Sequence, residues 1–143
     1  MLTLTTEATQ VRQFATALSE VPHARHFVTD LLAGHPCADD AAIVVSELAA
    51  NAVQHSGAAG SGVFTVSLAH ADGAVRIEVG NTTGPERPTV GRNDPQATGG
   101  RGLLIVDSLS RRWGVVRDGT QTRVWCEIGR TPPDPAPAVQ VNA

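Results

Sequence analysis

Tyrosine is absent from this chain and the remaining aromatics are few, three phenylalanines and two tryptophans in 143 residues. A core short of large rings has to be closed by Val, Leu, Ile and Ala, and the apolar share of 41% is ordinary for one globular domain built that way. A basic stripe is also missing. The formal net charge is -3, which argues against direct nucleic-acid binding through phosphates. No apolar stretch reaches the length of a membrane span, and no basic region followed by an apolar run opens the chain, so neither membrane insertion nor export is expected. Cys37 and Cys126 form no Cys-x-x-Cys pair and have no zinc-type histidine neighbours. They read as small buried filler in a reducing, cytoplasmic protein. The common nucleotide signatures are lacking too: there is no P-loop, and no Gly-x-Gly-x-x-Gly follows a strand in a parallel unit. Any nucleotide site must be of another kind.

What is present centres on the stretch Val44 to Gly57. Apolar side chains at Ala41, Val44, Val45, Leu48 and Ala52 follow a helical period, with Gly57 as the expected stop. At about 100° per residue, Glu47 and Asn51 fall one turn apart on the flank of that stripe. A carboxamide oxygen can reach a hard cation while the carboxylate accepts a proton or orients a water. The plain alternative is a solvated helix face.

Around this helix the periods are legible. Residues 1–10 are Thr-rich and read as a loose lead-in, and Val11 to Leu18 suits an edge strand or a short helix. Pro22 suits the first turn of a helix to about Ala33, with Ala24, Phe27, Val28, Leu31 and Leu32 inward and Gly34 ending it. The next helix starts near Cys37, with Asp39 and Asp40 at the positive end of its dipole. After the Gly-rich stretch 58–62 the period becomes two. Phe64, Val66 and Leu68, then Val75, Ile77 and Val79, flank a hairpin turn at Asp72-Gly73. A second hairpin joins Trp113–Arg117 to Val124, Cys126 and Ile128 through Asp118-Gly119. The tail 131–143 is proline-rich and expected to be disordered. The result is one α+β domain over residues 11–130, a two-layer sandwich whose mixed or antiparallel sheet is covered on one face by helices.

Between the hairpins, the stretch Asn81 to Thr98 shows neither period, as functional loops in compact domains do. It empties into Thr98-Gly99-Gly100-Arg101-Gly102-Leu103, where glycines pass directly into an apolar helix. Bare backbone and the N–H groups of a helix start favour an anion, so Gly100-x-Gly102 is a candidate phosphate cradle with Arg101 beside it. A flexible hinge is the competing reading.

Taken together, Ser46-Glu47-Leu48-Ala49-x-Asn51-Ala52-Val53-x-His55-Ser56, Gly100-Arg101-Gly102-Leu103 and Trp113-Gly114-Val115 resemble the GHKL ATPase superfamily. The likeness is to its serine/threonine-kinase anti-sigma-factor branch in the compact actinobacterial form, and it covers Val11 to Ile128. The resemblance implies the GHKL fold, ATP and Mg²⁺ as cofactors, and transcription regulation by partner switching. The partners would be a sigma factor and an anti-anti-sigma (STAS-type) protein, with a homodimer as a further expectation. Carried over by position, Asn51 would coordinate Mg²⁺, and Glu47 would act as general base or position the attacking hydroxyl. Gly99, Gly100, Arg101, Gly102 and Leu103 would hold phosphates under a lid. Asn81 and Thr122 would lie on the adenine side. His55 reads as a hydrogen-bonded histidine at a helix C-terminus. No phosphoacceptor-histidine helix or sensor domain accompanies these motifs, an expectation against a histidine kinase.

One position departs from the family pattern. The strand end that usually carries an Asp for the adenine amino group here has Gly80-Asn81. A neutral hydrogen bond contributes about 1 kcal/mol against about 1.5–3 for a charged one, so ATP affinity roughly tenfold lower is expected, with Asn81→Asp tightening it. This leaves a second expectation: the same fold acting as a nucleotide-weak or catalytically inactive module that sequesters a protein partner.

Overall fold

The computed structural model describes residues 9–55, 62–82, 100–119 and 121–129, with the side chains of Thr82 and Arg101 outside that description. Five strands, β1 (Gln10–Ala15), β2 (Val63–Ala71), β3 (Ala74–Thr82), β4 (Arg112–Asp118) and β5 (Gln121–Gly129), form one sheet in the order β1-β2-β3-β5-β4. Every pairing is antiparallel, so the mixed sheet left open by the sequence does not occur among the described residues. Three helices, α1 (Val21–Leu31), α2 (Ala38–Gln54) and α3 (Gly100–Leu109), complete the second layer. α2 lies on β3 between α1 and α3.

Strand alternation decides which face the helices cover. Phe64, Val66, Leu68, Val75, Ile77, Val79, Val124, Cys126 and Ile128 are all buried against Val28, Val44, Val45, Leu48 and Val106 of the helices. The scarcity of rings is met by stacking the few available: Phe14 lies over Phe64 with centroids 5.4 Å apart and meets Phe27 edge-on at 6.0 Å. Burying such side chains contributes about 1.5–3 kcal/mol each, and this face is therefore the main source of stability. Both hairpin turns use glycine in the left-handed region, Gly73 at φ 74 and Gly119 at φ 66.

Several boundaries differ from the sequence reading. The stretch left between strand and helix is β1 to Ala15, followed by a 3-10 turn at Leu18–Glu20. Gln10 already belongs to β1, which shortens the expected lead-in, while residues 1–8 lie outside the description. α2 ends at Gln54, where the His55 N–H closes on the Asn51 carbonyl at 3.0 Å. Gly57 therefore does not terminate it and, like the proline-rich tail, lies outside the described residues. β3 runs through Asn81, because Asn81 keeps register with Phe64 on one side and Thr122 on the other. The loop expected from Asn81 onward thus begins no earlier than residue 83, and that stretch also falls outside the description.

Candidate nucleotide site

The second half of α2 carries the two residues on which the sequence reading turned. Leu48 and Ala52 bury their side chains on the sheet, which turns Asn51 inward beside them, at 8% exposure. Among the described residues its carboxamide makes no side-chain hydrogen bond. Glu47, one turn earlier and about 6 Å along the axis, is half-buried and faces the start of α3. Ser46, next to it, is tied down by donating to the Ala42 carbonyl at 2.8 Å and accepting from Arg25 at 3.2 Å.

α3 meets that carboxylate at Gly102. A β-carbon there would stand 2.8 Å from Glu47 Oε1, so glycine is what lets the carboxylate lie against the helix start. The N–H groups of this first turn have no intrahelical acceptor and carry the positive end of the helix dipole. At the other end α3 is fixed to the sheet by Trp113, whose indole Nε1 donates to Asp107 at 2.8 Å. That bond gives Trp113 of the Trp-Gly-Val motif a structural role.

Where α2 ends over β3, Asn81 Nδ2 donates to the Ala52 carbonyl at 3.2 Å. Its cross-strand neighbour Thr122 is 4% exposed, and the Thr122 hydroxyl is buried with no hydrogen-bond partner. An unpaired buried hydroxyl costs about 1–3 kcal/mol, and the Thr122 oxygen beside Asn81 carries that cost in the ligand-free protein. The predicted residues thus form a continuous line: Gly102, Glu47, Asn51, then Asn81 and Thr122.

Not every predicted residue joins it. Gly99 lies outside the described residues; Gly100 opens α3, and Arg101 is placed only by its backbone. Leu103 packs against the core, so only its backbone N–H is available at the helix start. His55 sits at the end of α2, as its sequence position implied. One further residue shares the sheet face at this end. Arg117 is the cross-strand partner of Thr122 and shares its face of the sheet. The alternation Trp113, Val115, Arg117 already contained that signal.

Among the described residues no cluster of three or more His, Cys, Asp or Glu could hold a metal by itself. A donor set of one carboxamide suits Mg²⁺, which keeps most of its ligands from phosphates and water. The cysteines are not part of the site. Neither is in a disulfide, and burial pushes the Cys126 thiol up to about 12, where it is inert as a nucleophile. No helix among the described residues is long and apolar enough to cross a membrane.

The family described as "Histidine kinase-like ATPase domain" matches residues 5–128, and the chain belongs to that family. Among solved structures, the histidine kinase domain from the Erythrobacter litoralis EL346 blue-light activated histidine kinase is similar in fold, with a TM-score of 0.50 and 21% identity over 87% of this chain and 69% of that one. No curated protein matches.

Proposed function

We propose that the chain binds ATP with Mg²⁺ and is a protein serine/threonine kinase that doubles as an anti-sigma factor. It would hold a sigma factor in one state and phosphorylate an anti-anti-sigma (STAS-type) protein to switch between them. The observation that carries the nucleotide reading is the orphaned Thr122 hydroxyl beside Asn81, at one end of a line that reaches Glu47 and Gly102 at the other. Thr122 and Asn81 would meet the adenine edge, and the N–H groups from Gly100 to Leu103 would meet phosphate oxygens. Asn51 would hold Mg²⁺, which would supply charge neutralisation on the phosphates. Glu47 accepts the proton of the attacking hydroxyl as that oxygen takes the γ-phosphoryl group and ADP leaves.

A second reading, a partner-binding module with weak nucleotide affinity, is favoured by one observation: Asn81 is neutral and already spends its amide on Ala52. Calorimetry with MgATP followed by labelled-phosphate transfer to purified STAS-type proteins separates the two. Binding with transfer supports the kinase, and binding without it supports the module. No binding at millimolar MgATP overturns the nucleotide reading itself.

A further inference from the structure

The face of the sheet turned away from the helices has its own organisation. Trp125 of β5 lies across β4 at Gly114, where a β-carbon would come within 2.9 Å of the indole nitrogen. The Arg76 guanidinium stands over the same indole at 4.7 Å from its centroid. Around this ring Glu127 accepts from Arg76 at 3.0 Å and Arg112 at 2.7 Å, with Arg111 at 3.6 Å. Glu78 pairs with Arg123 at 2.9 Å and lies 3.8 Å from Arg76. Among the described residues four guanidiniums, of which Arg111 has a further interaction besides Glu127, thus surround two carboxylates, a local excess of two positive charges within this group in a chain whose formal net charge is -3.

The layering gives that excess a direction. The carboxylates lie low, at 15% exposure for Glu127 and 24% for Glu78, whereas Arg112 and Arg123 stand at 49% and 46%. Solvent meets guanidinium. Among the described residues, Asp72 in the β2–β3 turn and Asp118 at the end of β4 lie at opposite ends of the strands. Beside Arg123 the face dips into a groove of about 270 Å³ over Gly80, bordered by Gln13, Val63, Thr65 and Ser67, with the Glu78 carboxylate on its wall beside Arg123. Exposed Val116 lies beside Arg123 across the strands.

We propose that this face, from Trp125 to the Gly80 groove, docks an acidic segment of a partner protein. Trp and Arg are the side chains that dominate binding energy at protein interfaces, and a planar guanidinium already oriented by one carboxylate presents its remaining N–H groups to a second at little entropic cost. An excess of two charges is too small for phosphate-backbone binding, which needs many neutralised phosphates. The inference goes beyond the nucleotide reading and stands without it, since the site lies on the opposite side of the sheet.

The test uses the full chain without nucleotide, titrated with a synthetic peptide of repeating Glu-Leu-Asp and followed by the NMR signals of the Trp125 indole and the arginine Nε–H groups. The expected result is saturable movement of Trp125, Arg112 and Arg123 together, with affinity falling as salt rises. Arg112→Gln and Arg123→Gln each weaken binding by about threefold or more. Glu78→Gln removes a native ion pair yet tightens binding, because it raises the local excess, a sign that loss of structure would not produce. Weaker binding in Glu78→Gln, unchanged binding in Arg112→Gln, shifts confined to other surfaces, or tighter binding of a single-stranded oligonucleotide of equal charge on this face overturns the proposal.

Discussion

Asn81 donates its side-chain amide to the main-chain carbonyl of Ala52, and an ionised aspartate could not make that bond. The position where the family pattern places a carboxylate is here engaged in holding the end of α2 to β3. Neutrality at residue 81 is therefore a packing requirement of this chain.

Asn81→Asp accordingly has two effects. The introduced carboxylate is buried against a carbonyl oxygen, so the fold loses about 1–3 kcal/mol at neutral pH. Burial raises its folded pKa above the unfolded value, so the penalty is full above that folded pKa and shrinks as pH falls through it. Thermal melts from pH 5 to 8 check the sign. ATP affinity of the variant, measured well below its melting temperature, tightens if residue 81 meets the adenine amino group, and an unchanged value removes Asn81 from that role.

Thr122→Val separates stability from binding. Removing a hydroxyl that has no partner leaves the ligand-free protein as stable or more stable by about 1 kcal/mol, while nucleotide affinity drops about five- to tenfold. Parallel loss of both would show that the hydroxyl is satisfied within the fold.

On α2 the two polar residues should part company. Asn51→Ala is expected to abolish the Mg²⁺-dependent part of ATP binding, and Glu47→Ala to leave binding largely intact while slowing transfer by about 10²-fold or more. Calorimetry with and without the metal, alongside single-turnover transfer, reads both. Retained Mg²⁺ dependence in Asn51→Ala would remove the metal assignment.

Gly102→Ala tests the contact between α2 and α3. The new methyl is tight only against Glu47 Oε1, the movable end of that side chain, and meets Glu47 Cβ and Cδ at ordinary contact distances of 3.7 and 3.8 Å, so the fold is spared and helix propensity adds up to about 1 kcal/mol. The displaced carboxylate is expected to lower the transfer rate at unchanged melting temperature, and a large fall in that temperature would show the contact to be rigid.

Acid stability should depend on Glu127. Burial alone would raise its pKa, but the hydrogen bond and charge of Arg112, together with Arg76, hold it below the ordinary carboxylate value. A depressed folded pKa contributes stability above the unfolded value and loses it as pH falls through the folded one, so the loss begins as pH drops past about 4.5. Glu127→Gln is expected to flatten that limb of the melting curve.

The periods in the sequence revealed most of the architecture, because Phe64, Val66 and Leu68 and their partners alternate with more exposed residues, a pattern β2 breaks only at its far end where Ala69 is buried beside Leu68. The Glu47–Asn51 spacing was equally readable, since helical geometry alone puts both on one flank. What stayed hidden depends on contacts between distant segments. That Asn81 extends β3 follows from its pairing with Thr122, more than forty positions away in the chain, and polarity alone made it look like a loop. The pairing of Gly102 with Glu47 and the arginine cluster over Trp125 likewise arise only once the sheet order is set.

The two indoles end up on opposite sides of the sheet, Trp113 bonded to α3 and Trp125 on the far surface. With no tyrosine in the chain, all of its near-ultraviolet emission comes from this pair. Replacing either by phenylalanine yields a protein whose intrinsic fluorescence reports a single side, so that events at the helical layer and at the outer surface can be followed separately without an added dye.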